Sequence, residues 1–185
     1  SRLLQGEVGS GKTVVAAAAM LLAVVNGYVA AMMAPTEILA EQHFLTIGKL
    51  FGTMGKLIEE PNKFTIDIDG LSNQMRIGLL IGGMTKTRKD SMKRSIENGE
   101  IDIVIGTQAL IQESVIAPRL GMVIVDEQHR FGVEQRKNLI IKGEHVNILA
   151  MTATPIPRTL TFALHGDMDL SWIDEQPKNR IPIKT

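Results

Sequence analysis

The chain has 185 residues, a length that suits one domain built around one core. Its 44% hydrophobic and 22% charged residues exclude disorder, and 20 Lys and Arg balanced by 20 Asp and Glu exclude a strongly basic nucleic-acid footprint, leaving room for local patches. Cysteine is absent, which rules out disulfides and thiolate metal sites; with no signal peptide and no apolar run of membrane length, the expected home is cytoplasmic, away from any membrane.

From the N-terminus, "LLQG" reads as a strand entering a glycine-rich loop, and a helix follows over 12–26, closed by Gly27. The apolar stretch "VVAAAAMLLAVV" within it predicts a buried helix. "VAAMMAP" is the next strand, and "TEILAEQHFLTIGKLF" the next helix, with Thr36 as N-cap and Glu37 in its first turn. Residues 55–76 break this rhythm. There, Phe64, Ile66 and Ile68 alternate with Thr65, Asp67 and Asp69, which predicts a half-exposed strand ending in an Asp-Gly turn, part of an inserted hairpin or loop. The pattern resumes with the strand "IGLLIGG", the helix "KTRKDSMKRSIENG", the strands "IDIVIGT", "LGMVIV" and "NILAMTAT", and a short helix over 158–164. From about 167 onward an extended tail is expected. The alternation predicts an α/β fold, a mostly parallel central sheet with helices on both faces.

The sharpest motif is "GEVGSGKT", which matches G-x-x-x-x-G-K-[ST] in full between a strand and a helix. Such a loop turns so that successive N–H groups face phosphate oxygens at a helix N-terminus. Gly6, Glu7, Val8, Gly9, Ser10, Gly11, Lys12 and Thr13 are therefore the candidate ATP-binding residues. Lys12 suits the β- and γ-phosphates, and the Thr13 hydroxyl suits Mg²⁺. Downstream, "MVIVDEQH" ends an apolar strand on two adjacent carboxylates, which are costly unless a cation sits beside them. Asp126 is the second candidate Mg²⁺ ligand and Glu127 the candidate general base. Gln128 and His129 follow as candidate sensors of the γ-phosphate; His129 alone reads equally well as a hydrogen-bonded core histidine. His43, His129, His145 and His165 show no zinc-ligand spacing.

"MTATPIPRTL" follows the last clear strand, so Thr152 and Thr154 can bond to the acidic pair or to His129, or Thr154 can cap a helix. Lys86, Arg88, Lys89, Lys93 and Arg94 on one helix suit either a solvated face or a phosphate backbone. Aromatics amount to only 4%, so nucleic acid would be met at its backbone rather than by base stacking.

With these residues in hand, the chain resembles superfamily 2 helicases and translocases, in which two RecA-like lobes clamp ATP. "GEVGSGKT", "APTEILAEQH", "DEQH" and "TATP" look like their motifs I, Ia, II and III, and "GTQAL" like a motif that touches the DNA backbone. "RLLQGEVGSGKT", "DEQHRFGVEQR", "MTATPIPRTL" and "GDMDLSWIDEQP" are similar to the RecG family of bacterial ATP-dependent DNA helicases, with Mfd-type translocases as the near alternative. The resemblance implies a RecA-like P-loop NTPase lobe that binds ATP and Mg²⁺ and acts on branched or forked DNA in repair and recombination. It further implies that Thr152, Ala153 and Thr154, with Gln128 and His129, couple nucleotide state to DNA movement. Thr36, Gly83 and Thr107 become candidate DNA-backbone contacts.

The segment 55–76 departs from the family pattern and takes no role from it. The resemblance also implies a longer parent chain, with an N-terminal wedge domain that recognises branched DNA and a second RecA-like lobe that supplies arginine fingers. The single lobe is then expected to hydrolyse ATP weakly, since such fingers are worth about 10³–10⁵ in rate. Outside the resemblance, two other classes fit the residues: a P-loop ATPase that moves no nucleic acid, and a lobe serving only as a binding module.

Overall fold

A computed structural model describes residues 1–71, 73–107, 117–127, 146–154 and 168–174. In chain order the elements are β1 (Arg2–Gly6), α1 (Lys12–Val25), β2 (Val29–Met33), α2 (Glu37–Gly52), β3 (Gly55–Glu60) and β4 (Lys63–Ile68). They continue with β5 (Met75–Leu80), α3 (Lys86–Glu97), β6 (Ile103–Gly106), β7 (Leu120–Asp126), β8 (Asn147–Thr152) and β9 (Asp169–Ile173). The described strands make one sheet in the order β3-β4-β5-β6-β2-β7-β8-β1-β9. From β5 to β9 along that order every pairing is parallel, and only the β3–β4 hairpin runs antiparallel against its neighbours.

Apolar residues on successive positions of the inner strands serve opposite faces, as a strand buried on both sides requires. On one face Ala30, Met32, Ile103, Ile105 and Ile124 pack with Ala16, Ala17 and Met20 of α1 and Ala40, Phe44, Ile47 and Phe51 of α2. On the other, Ala31, Met33, Val104, Val123 and Val125 pack with Met92 and Ile96 of α3. The expected two-sided cover is therefore present, and each helix starts where its sequence says. Thr36 Oγ1 accepts from Leu39 N–H at 3.3 Å, and Thr85 Oγ1 accepts from Arg88 N–H at 3.5 Å.

The expectation of a buried α1 is corrected. Ala16, Ala17 and Met20 are buried against the sheet, but Val14, Val15, Leu22 and Val25 lie 42–66% exposed. The alanines let one face sit close to the strands, so the sheet covers only that face. α1 stops at Val25, with Asn26 as C-cap and Gly27 at φ 77. No helix among the described residues is long and apolar enough to cross a membrane. The expected helix over 158–164 lies outside the described residues.

The 55–76 segment is a hairpin that widens the main sheet, and its last two residues, Met75 and Arg76, already belong to β5. Phe64, Ile66 and Ile68 are buried as the alternation predicts. Pro61 and Asn62 (φ 64) form the turn, the residue pattern of a type II turn. Asp69 and Gly70 (φ 91) make the second turn. Phe64 stacks on Phe44 of α2 with ring centroids 4.2 Å apart, which joins the hairpin to the core. Residues 169–173, expected to open an extended tail, instead add the edge strand β9 beside β1.

Candidate active site

All parallel strands end at one edge of the sheet, the place where open α/β sheets bind ligands. Along that edge, three neighbouring strands carry the candidate nucleotide residues: β7 ends on Asp126, β8 on Thr152, and β1 runs into the 6–13 loop. The adjacent strands β2, β6 and β5 lead into Thr36, Thr107 and Gly83. The structure thus brings both groups of predicted residues to one rim, side by side.

The loop is built by its glycines. Gly9 and Gly11 have φ of 84 and 93, and Gly11 is the N-cap of α1, so the helix opens directly under the loop. Ser10 N–H donates to Glu7 O at 3.1 Å, closing the turn. Lys12 Nζ donates to Gly6 O at 2.7 Å and Glu7 O at 2.8 Å, which folds the lysine back across the loop. Ser10 Oγ is buried and has no hydrogen-bond partner among the described residues. Val8, at the loop's tip, is exposed, and Thr13 is half-buried in the first turn of α1.

The acidic pair is held by the backbone and by one histidine. Glu127 adopts φ 52, in the left-handed region that costs a non-glycine residue roughly 1–2 kcal/mol. Its N–H donates to Asp126 Oδ1 at 3.1 Å. The other oxygen, Oδ2, meets His43 Nε2 of α2 at 2.7 Å. Their side chains are only 13% and 14% exposed. Gln128 and His129 lie outside the described residues.

Of the options the sequence left open for Thr152 and Thr154, bonds to the acidic pair are absent among the described residues, while His129 and any helix that Thr154 would cap lie outside them. Their hydroxyls lie 2.9 Å apart, and Thr154 N–H donates to Thr152 Oγ1 at 3.2 Å, so the backbone turn after β8 takes up this hydroxyl. Ala153 lies between them, half-buried. Gln5, buried at the end of β1, donates from Nε2 to Thr154 O at 3.1 Å and ties the phosphate loop's strand to this turn. Gly83 N–H is taken by Glu37 Oε2 at 3.0 Å, and a Cβ at Gly82 would sit 2.4 Å from Glu37 Oε1. Sequence reasoning missed Gln5 and gave His43 no role here. A polar residue ending an otherwise apolar strand was the one available signal for Gln5; for His43 there was none.

Comparison with known proteins agrees with this geometry. The DEAD/DEAH box helicase family model matches residues 1–162. ATP-dependent DNA helicase RecG of Streptococcus pneumoniae is 50% identical over 185 residues, covering 100% of this chain and 24% of the relative. The same-named protein of Synechocystis is 47% identical over 186 residues, covering 100% of this chain and 20% of its own length. The chain therefore spans about a quarter or less of the curated relatives it matches. Among solved structures, "Structure of RecG bound to three-way DNA junction" superimposes with a TM-score of 0.73 at 43% identity, over 98% of this chain and 22% of that one. The mostly parallel sheet, with helices on both faces and the phosphate loop after β1, is that of a RecA-like helicase lobe, and the chain belongs to the DEAD/DEAH box helicase family.

Proposed function

We propose that the chain is the first RecA-like motor lobe of a RecG-type DNA helicase, coupling ATP hydrolysis to translocation on, and remodelling of, branched DNA or stalled forks in the bacterial cytoplasm. One observation carries the reading: neighbouring strands β7, β8 and β1 deliver Asp126–Glu127, Thr152–Thr154 and the 6–13 loop to one edge. The names of the curated relatives and the junction-bound neighbour support it. In the parent chain, the second RecA-like lobe would close over this edge, and an N-terminal wedge domain would meet the branch point. The hairpin within 55–76 is an insertion in this lobe.

Within the lobe each residue has a task. The loop amides and the buried, unpaired Ser10 Oγ supply donors for the phosphates of ATP. Lys12 leaves its two carbonyl partners to neutralise the β- and γ-phosphates. Thr13 Oγ1 and the Asp126 carboxylate are hard oxygen donors of the kind Mg²⁺ takes. Among the described residues no group of three or more His, Cys, Asp and Glu could hold an ion unaided, so phosphate oxygens and water would complete the shell. Held by Thr13 and Asp126, Mg²⁺ would supply charge neutralisation for the phosphates of ATP. Glu127 accepts the proton of the attacking water, and Gln128, His129, Thr152, Ala153 and Thr154 relay the nucleotide state. Thr36, Gly83 and Thr107 meet the DNA backbone on the neighbouring stretch of the rim.

The test is a steady-state ATPase assay on the full-length protein with forked DNA. Wild type is expected to be DNA-stimulated, and Glu127→Gln to lose about 10²–10⁴ in turnover while still binding nucleotide. Turnover near wild type in the variant would overturn the general-base assignment; a wild-type enzyme indifferent to DNA would overturn the motor reading.

A further inference from the structure

We infer that His43 is a positioning residue for Asp126, setting the orientation of the carboxylate that takes part in metal binding. The inference rests on the reading of Asp126 as a Mg²⁺ ligand.

His43 sits two turns into α2, a helix that packs on the sheet chiefly over β3, β4, β5 and β6. The N-terminus of α2 is fixed twice, by the Thr36 cap and by Glu37 holding Gly83 N–H. The imidazole therefore rides on an anchored helix and reaches Asp126 Oδ2 at 2.7 Å. An ionised carboxylate only accepts, so Nε2 is the protonated ring nitrogen in this contact. Oδ1 has its own donor, Glu127 N–H at 3.1 Å.

The terminal torsion of an aspartate is broad, and a carboxylate at a strand end does not hold one rotation by itself. Two donors from separate elements remove that freedom at Asp126: one from the residue after β7, one from α2. Each oxygen carries one donor and keeps further lone-pair capacity, so an ion can still be bound. Partners of this kind are the usual means by which a protein tunes a metal ligand, and losing one costs about 10–100-fold in metal affinity. A surface ion pair of no consequence would be solvent-exposed, whereas both side chains here are nearly covered.

The experiment uses the full-length protein with a non-hydrolysable ATP analogue and follows Mn²⁺ binding by electron paramagnetic resonance. Mn²⁺ serves as the probe because it prefers the same hard oxygen ligands as Mg²⁺. His43→Leu removes the donor and is expected to weaken Mn²⁺ binding by about tenfold or more, while His43→Gln, which keeps a donor, stays within about threefold of wild type. Nucleotide affinity in excess chelator should be the same in all three proteins. His43→Ala carries the same expectation as the leucine variant, should the latter not fold. If the donor-free variants bind Mn²⁺ within about twofold of wild type while Asp126→Ala loses it, the positioning role is wrong. If Asp126→Ala binds Mn²⁺ as wild type does, the metal reading itself fails and His43 loses its role with it.

Discussion

Gly6 and Gly11 belong to one loop but are required for different physical reasons. A Cβ on Gly6 would lie 2.5 Å from Ser10 Oγ and 3.2 Å from Ile173 Cβ, so that position is closed by packing. A Cβ on Gly11 would meet nothing within 4 Å, but the backbone there is at φ 93, which only glycine adopts freely. Gly6→Ala should therefore cost about 1–3 kcal/mol by crowding, and Gly11→Ala roughly 1–2 kcal/mol by backbone strain. Chemical denaturation of a double-mutant cycle with Ser10→Ala separates the two. The serine change should offset part of the Gly6→Ala loss and none of the Gly11→Ala loss; equal coupling in both cycles would contradict this account. At this scale the phosphate loop was legible because its chemistry depends on eight consecutive residues. His43 and Gln5 were not, since their partners lie 83 and 149 positions away.

At the scale of elements, the hairpin is secured by one close approach. Gly48 of α2 faces Phe64 of β4, and a Cβ there would lie 2.3 Å from the ring, which is itself stacked on Phe44. Alanine normally improves a helix interior by about 1 kcal/mol over glycine. Here the expected sign is the opposite: Gly48→Ala should destabilise by about 1–3 kcal/mol, because the ring it would crowd is buried and already stacked on Phe44. A rise in the denaturation midpoint would sink this reading. β4 was legible from its strict alternation, but its partner β3 was foreseen only as part of a hairpin or loop, and β9 not as a strand. Among the described strands these two are the edges of the sheet, each paired on one side. β3 carries no residue classed as buried, and β9 is likewise half-exposed or exposed throughout, so neither shows the apolar pattern of an inner strand. The exposed face of α1 has a different cause: the sheet covers only one face of the helix, and the sequence carries apolar residues all round it.

Across the whole molecule, the rim divides into a candidate nucleotide half under β7, β8 and β1 and a candidate DNA half under β5, β6 and β2. Thr107→Glu tests that division by adding a negative charge at the DNA half. DNA affinity of the full-length protein should fall about tenfold, from a lost hydrogen bond and added phosphate repulsion, while ATP affinity without DNA stays unchanged. Equal loss of both would mean that the two halves are not separate. By itself, the sequence determined the glycine-rich loop between β1 and α1, the acidic pair at the end of β7, the Thr36 cap of α2 and the alternation that makes a doubly covered parallel sheet. Each depends on residues close together in the chain and on backbone or phosphate chemistry that local spacing satisfies. Only the tertiary structure decided that β8 lies between β7 and β1, that Gln5 reaches the turn at Thr154, and that His43 grips Asp126. Those outcomes follow from strand order and helix placement, which packing over long sequence separations selects and no local pattern encodes.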